Sequence, residues 1–241
     1  MTSQIEKFQL TKRQLEILSL VEKTGFATLE NLAERYDVSM QTVRRDIITL
    51  SKAGRLQRFH GGAGPVERME ATRLDYDTKR SMAQAEKREI GQQASDMIED
   101  GTTLFLDVGT TLEACASILA KRSGFTIFTN SMPAAMKFDP KDHHVFVLPG
   151  RVAGRDGSIV GTDAVSLIRN VSIDYALIAC STIDNNDRVM DFDLDKIAIK
   201  KAAMAAAQKS FLLATQSKFG RTALAVIAPA DAFDTMITKA R

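Results

Sequence analysis

Tryptophan is absent from this chain, and aromatic residues of all kinds make up only 6% of it, 12 Phe and 3 Tyr. Single-stranded nucleic acid needs stacking platforms, and with the Phe residues mostly inside apolar runs the sequence does not offer one. Cysteine is nearly missing as well. Cys115 and Cys180 sit beside alanines or aliphatics, lack a partner at metal-ligand spacing, and form no cluster with His60, His143 or His144. They read as core thiols, and neither a disulfide framework, a metal nor a cofactor is expected. No apolar stretch approaches the length of a membrane span, and the amino-terminal MTSQIEKFQL is polar. A cytoplasmic protein without a membrane partner is the expectation. A strong excess of charge is also lacking: 32 Lys and Arg against 30 Asp and Glu exclude a polycation that coats nucleic acid indiscriminately.

What charge there is lies unevenly. Residues 1–65 hold 10 Lys and Arg against 7 Asp and Glu, net +3, while the remainder holds 22 against 23, net −1. Specific recognition of DNA requires a local positive surface, so this mild excess is compatible with it. The length of 241 residues, 44% hydrophobic, suits two moderate domains.

Residues 38–62, VSMQTVRRDIITLSKAGRLQRFHGG, contain a helix start, two adjacent arginines and a basic hairpin. Ser39 caps the helix, Val43, Ile47 and Leu50 form its apolar stripe, and Gly54 ends it. The opposite face presents Met40, Gln41, Thr42, Arg44 and Arg45, a set suited to base edges and phosphates. Beyond Gly54, Arg55, Gln57 and Arg58 alternate with Leu56 and Phe59 up to His60 and a turn at Gly61 and Gly62, the pattern of a wing. Upstream, Thr11 and Gln14 form a capping box for a helix carrying Leu15, Ile17, Leu18 and Val21 and stopping near Gly25. A second helix from about Thr28 to Tyr36 leaves two residues before Ser39, which is helix-turn-helix spacing. The plainer alternative is a three-helix module whose charged face is merely solvated. The expected DNA contacts are Ser39, Met40, Gln41, Thr42, Arg44, Arg45, Arg55, Arg58, His60 and Gly61.

The irregular, charged stretch after Gly64 marks a boundary, giving a winged helix-turn-helix domain at 1–64, a linker at 65–81 and a second domain at 82–241. In the second, a helix from Ala83 to Glu99 precedes apolar runs (TLFLDV, FTIFTN, VFVLPG, YALIAC, SFLLAT, LAVIAP) alternating with helical patterns, including one from Ile197 to Gln208. Such alternation predicts a doubly wound, mostly parallel α/β domain. Ligands in such sheets settle beyond the carboxyl ends of the strands. The residues there are Asp107, Gly109, Thr110 and Thr111, a candidate phosphate cradle at a helix start; Thr129, Asn130 and Ser131; Gly150 and Arg151; and Lys218. Helix capping and turn chemistry are the plainer readings of Gly-Thr-Thr and Thr-Asn-Ser.

These motifs also carry a resemblance. VSMQTVRRD followed by RFHGG, then DVGTT, FTNS, LPGR, SIVG, DFDLDKIAIKKA and QSKFG in that order, resembles the DeoR family of bacterial transcription regulators over nearly the whole chain. The resemblance implies a sensor half with the fold of ribose-phosphate isomerases, a repressor of carbohydrate or polyol catabolism, release from operator DNA by a phosphorylated sugar or polyol such as glycerol 3-phosphate, and a homodimer or homotetramer. Three positions depart from the family pattern: Arg151 stands for a glycine, Lys196 for a glutamate and Thr215 for an aspartate. A more positive pocket is the expectation from those changes. The alternative of another class is a sugar-phosphate isomerase. The resemblance places Lys200 where those enzymes keep a basic glutamate, and a lysine serves poorly as that base, so binding without turnover is favoured.

Overall fold

Local capping decides where the first helices begin. The Thr11 main-chain N–H donates to Gln14 Oε1 at 3.0 Å and the Gln14 N–H donates to Thr11 Oγ1 at 3.2 Å, opening α1 (Lys12–Thr24) with the expected box. Thr28 Oγ1 accepts from the Asn31 N–H to open α2 (Leu29–Arg35), and Ser39 Oγ accepts from the Thr42 N–H at 3.2 Å to open α3 (Met40–Lys52). Gly54 ends α3 at φ 67°, with the Arg55 N–H donating back to the Leu50 carbonyl. The strands β1 (Ala27–Thr28), β2 (Leu56–Phe59) and β3 (Gly62–Pro65) pair antiparallel in the order β1-β3-β2. Ile17, Leu32, Val43 and Leu50, all fully buried, centre the core beneath them.

The computed structural model describes residues 10–24, 26–59, 62–65, 80–154 and 156–239, with the side chains of residues 57, 59 and 65 outside that description. The expected DNA contacts His60 and Gly61, the helix stop at Gly25 and most of the linker at 65–81 therefore lie outside the described residues. Gly62 was expected in the turn but belongs to β3, opposite Phe59. Its reason for being glycine is packing, because a Cβ there would lie 2.4 Å from the Ala27 carbonyl oxygen and 2.5 Å from the Phe26 ring. The chain divides into two compact units, residues 1–74 and 75–241.

In the second unit α4 (Gln84–Asp96) leads into β4 (Thr103–Leu106), α5 (Thr110–Leu119), β5 (Thr126–Thr129), α6 (Met132–Ala135) and β6 (His144–Val147). A small hairpin of β7 (Arg151–Val152) and β8 (Ile159–Val160) follows, then α7 (Thr162–Ile168), β9 (Ile173–Ile178), β10 (Thr182–Ile183), β11 (Arg188–Asp191), α8 (Leu194–Ala206), β12 (Ala207–Leu213), β13 (Ala225–Pro229) and β14 (Thr235–Ile237). Six strands form one all-parallel sheet in the order β14-β12-β9-β4-β5-β6. Residues of α4 and α5, among them Ile90, Ala94, Leu112 and Leu119, fill one face. Residues of α7 and α8, among them Ile168, Ile199 and Ala203, fill the other, which makes the domain doubly wound as the sequence implies. Two expectations need correction. The run LAVIAP forms β13, which pairs antiparallel with β11 in a separate three-stranded sheet instead of joining the parallel one. The helix expected to run to Gln208 ends at Ala206, and Ala207 already pairs with Ile173, because an alanine-rich run carries no local stop signal. Cys115 and Cys180 are core thiols, pushed by burial up to about 12 and so kept protonated.

Candidate functional site

The first site is the outer face of α3. Its apolar stripe, Val43, Ile47 and Leu50, is buried against α1 and α2, which fixes by helical geometry which residues face out. Ser39, Met40, Gln41, Arg44 and Arg45 are exposed and Thr42 is half-buried, with Arg55 and Arg58 exposed on the following strand region. The side chains of Arg44 and Arg45 have no protein partner among the described residues, so both guanidinium groups are available to an anion. Asp46, next in the motif, does something different. It is buried and accepts from Arg13 Nε at 2.6 Å and Gln14 Nε2 at 2.9 Å, stapling α3 to the first turn of α1. In a VRRD run, then, the arginines face solvent and the aspartate sets the angle at which they are presented.

The second site follows from strand order. The chain moves outward from β4 through β5 to β6, then returns to β9 on the other side of β4, so the carboxyl ends of β4 and β9 bracket the switch point where such sheets bind ligands. Asp107, the first residue beyond β4, is fully buried there. Its main-chain N–H donates to the Leu177 carbonyl and its Oδ2 accepts from the Ala179 N–H at 3.0 Å, clamping β4 to β9. Lys200, from α8 and 1% exposed, donates to the same Asp107 oxygen and to the Ala179 carbonyl at 2.9 Å. Asp191 lies 3.5 Å from its ammonium and is itself held by Ser181 Oγ and the Phe192 N–H. Burial works against the Lys200 charge, but Asp107 and Asp191 outweigh it and the ammonium is retained. Burial also pushes Asp107 upward despite Lys200, whereas Lys200 and the bonds from Ser181 and the Phe192 N–H hold Asp191 below the usual carboxylate range against its own burial. The Asp107 carboxylate expected to meet ligand is thus partly committed to Lys200.

Around this triad the expected residues converge. Gly109, at φ 145°, is the N-cap of α5 and provides no side-chain cap, leaving the first-turn N–H groups of Thr110 and Thr111 without one. Thr129 Oγ1 donates to the Leu106 carbonyl at 2.6 Å and accepts from the Ser131 N–H, and Ser131 Oγ caps α6. These two hydroxyls are used structurally, as the turn reading held. Asn130 is different. It is 0% exposed, its carbonyl accepts from Ile159 of β8, and neither atom of its side-chain amide has a partner among the described residues. It lies one step beyond the Leu106–Thr129 register pair, as Asp107 does, so the two share one face of the sheet edge. A buried amide left without partners costs about 1–3 kcal/mol per group, so this position carries an energetic penalty that the fold itself does not offset.

Gly150, Arg151 and Lys218 fall at the margins. A Cβ on Gly150 would meet the Val160 carbonyl oxygen at 2.4 Å, so the close approach that this glycine permits is to β8. Arg151 is 71% exposed and pairs with Asp195 at 3.5 Å, and Lys196 pairs with Asp156 at 2.7 Å. Each of these two cations therefore has an acidic partner. Lys218 is half-buried in a short turn, residues 216–218, beyond β12. Lys200, Asp191 and Asp46 were missed as functional residues. The signal for Lys200 was present: it shares a helical stripe with Ile197 and Ala203, and a lysine on an apolar stripe is a buried charge.

Among the described residues no helix is long and apolar enough to cross a membrane. Residues 13–68 match a family described as the DeoR-like helix-turn-helix domain, and residues 82–240 match the DeoR C terminal sensor domain. The glycerol-3-phosphate regulon repressor of Haemophilus influenzae is 32% identical over 212 residues, 88% of this chain and 82% of its own length. The HTH-type transcriptional repressor CsqR of Escherichia coli is 33% identical over 214 residues, 88% of this chain and 80% of its own. Among solved structures, a D-ribose-5-phosphate isomerase in complex with phospho-erythronic acid aligns at a TM-score of 0.41 and 16% identity, over 55% of this chain and 52% of its own.

Proposed function

The chain belongs to the DeoR family of transcription regulators, and from that premise we propose that it represses a carbohydrate or polyol catabolic operon and leaves its operator when a phosphorylated sugar or polyol, such as glycerol 3-phosphate, binds the second unit. The observation that carries the effector side is the buried amide of Asn130, without a partner among the described residues, at the carboxyl edge of the sheet one strand from the switch point and at the same edge as the uncapped start of α5. An amide offers both a donor and an acceptor to sugar hydroxyls, and a helix start favours a phosphate. On the DNA side, α3 lies in the major groove with Arg44 and Arg45 reaching bases and phosphates, while Arg55 and Arg58 hold the flanking backbone. A homodimer or homotetramer brings two copies of α3 to half-sites one helical turn apart, about 34–36 Å.

The second unit acts as a receptor without turnover. At the position where the isomerases keep their basic glutamate this chain has Lys200, whose ammonium is fixed between Asp107 and Asp191 and cannot lift a proton next to a carbonyl. Relatives of similar identity bear names that point to different regulated systems, glycerol 3-phosphate in one and a lactose phosphotransferase system in another, so glycerol 3-phosphate is one member of a class to be tested. Coupling between the two sites can reach only the difference in effector affinity between DNA-competent and DNA-incompetent states, typically about 1–3 kcal/mol. The test is a thermal-shift panel of phosphorylated sugars and polyols. A true effector raises the melting temperature and its unphosphorylated parent does not. A flat response across the panel would remove the sensor reading.

A further inference from the structure

Three segments distant in the chain meet at the amino end of α4. The Gln216 N–H donates to Glu86 Oε1 at 2.7 Å, tying the 216–218 turn to the first turn of α4. Arg80, just upstream, faces Glu113 in the first turn of α5 across 3.9 Å. Between them lies Lys87, only 8% exposed, on the buried stripe of α4 with Ile90, Gly91 and Ala94. Its ammonium donates to the Met82 carbonyl at 2.8 Å. Lys87 is within electrostatic reach of Lys218, Glu113 and Glu86, and Lys218 in turn acts on Cys180 at the end of β9, where Asp107 and Lys200 also act. The amino end of α4, carrying Lys87, thus lies against the 216–218 turn that carries Lys218 and near the first turn of α5, the helix start that lacks a side-chain cap, at the same sheet edge as the Asn130 amide that has no partner among the described residues.

The geometry points to Lys87 as a second binding group for the effector's phosphate, and as the group through which occupancy is felt where the chain enters the second unit. This rests on the sensor reading above. Without an anion, burial and then repulsion from Lys218 lower the Lys87 pKa, with Glu113 and Glu86 opposing. A phosphate between the two ammonium groups cancels that repulsion and favours the charged form of Lys87. It also competes with the Met82 carbonyl for the N–H groups of Lys87. Met82 belongs to the turn that starts α4, where Ala83 holds a left-handed backbone at φ 51° and provides no side-chain cap. A weaker Lys87–Met82 bond loosens that turn, and α4 is the first long helix of the second unit among the described residues.

Inorganic phosphate and glycerol 3-phosphate are the probes, titrated calorimetrically into full-length wild type, Lys87→Met and Lys87→Arg. Loss of a charge-assisted hydrogen bond is expected to weaken binding by about ten- to a hundredfold in Lys87→Met, with Lys87→Arg restoring most of it. At alkaline pH the wild type takes up protons on binding and Lys87→Met takes up fewer. Amide exchange over residues 80–86 speeds up with glycerol 3-phosphate in the wild type. Equal affinity and equal proton uptake in wild type and Lys87→Met overturn the inference while the sensor reading stands. If Lys87→Met lacks a melting transition, exchange in the wild type decides, and unchanged exchange under saturating probe overturns it. Binding of neither probe by the wild type also overturns it, and the wider panel then judges the sensor reading separately.

Discussion

Replacing Asp46 by alanine and replacing Arg45 by alanine should both weaken operator binding, for physically different reasons. Asp46→Ala removes a charge-assisted bond to Arg13 Nε and the acceptor of Gln14 Nε2, leaving that buried amide nitrogen without its bond to α3 while its oxygen keeps the Thr11 N–H. Arg13 is about one-third exposed, so its bond is discounted for solvent, and the Gln14 amide carries most of the penalty. Together the loss is about 2–3 kcal/mol, which for a unit of this size lowers its melting temperature by roughly 10–20 °C. Arg45 is exposed without a protein partner among the described residues, so its removal leaves stability within about 0.5 kcal/mol while costing about 1–3 kcal/mol of DNA affinity. The assay pairs calorimetric melting with fluorescence anisotropy on operator DNA, both on the full chain. Identical melting of the two variants, or normal DNA affinity in Asp46→Ala, would refute the assignment of staple and reader.

Asn130→Leu keeps the branched side-chain shape and puts slightly bulkier methyl groups where two polar atoms have no partner among the described residues, so it should raise the unfolding free energy by about 1–2 kcal/mol while abolishing release from DNA by effector; a destabilised protein that still responds would contradict the site. Gly91 packs on the main chain of Cys115, where a Cβ would come within 2.9 Å of backbone atoms that cannot move aside, so Gly91→Ala should cost about 1–3 kcal/mol by chemical denaturation. The Asp184 carboxylate is held below its usual range: burial alone would raise it, but the Arg188 side chain at 2.6 Å and 2.8 Å, with the Arg188 and Asn186 N–H groups, outweighs that. A folded pKa below the unfolded value of about 3.9 contributes stability above that pH, and the contribution is lost as the pH falls through the folded value. Denaturation curves between pH 6 and 3, roughly the window set by those values, should therefore flatten in Asp184→Asn.

The DNA-binding unit was legible because its determinants are local. Thr11 with Gln14, Ser39 with Thr42, and the spacing of Val43, Ile47 and Leu50 act within a turn or two of helix. The parallel strands were legible as apolar runs between helical patterns, yet the same kind of run at LAVIAP joins a different sheet, because strand composition does not encode which neighbour a strand will meet. What stayed hidden depends on partners far apart in sequence. Asp46 meets Arg13 from 33 residues away, and Lys200 meets Asp107 from 93. Lys196 likewise meets its acid, Asp156, from 40 residues away. Asn130 could be placed at a strand end from the sequence, but the absence of a partner for its amide emerges only from the packing of β4, β5 and β8 around it.

That α3 holds duplex DNA under control of the second unit is tested directly by a gel-shift titration against fragments of the chain's own source genome at low ionic strength. A discrete complex is expected with the wild type, weakened by the Arg44→Ala and Arg45→Ala pair and dissolved by the phosphorylated sugar or polyol that raises the melting temperature. No shift of any fragment in effector-free buffer, or a complex indifferent to the loss of both arginines, would contradict it.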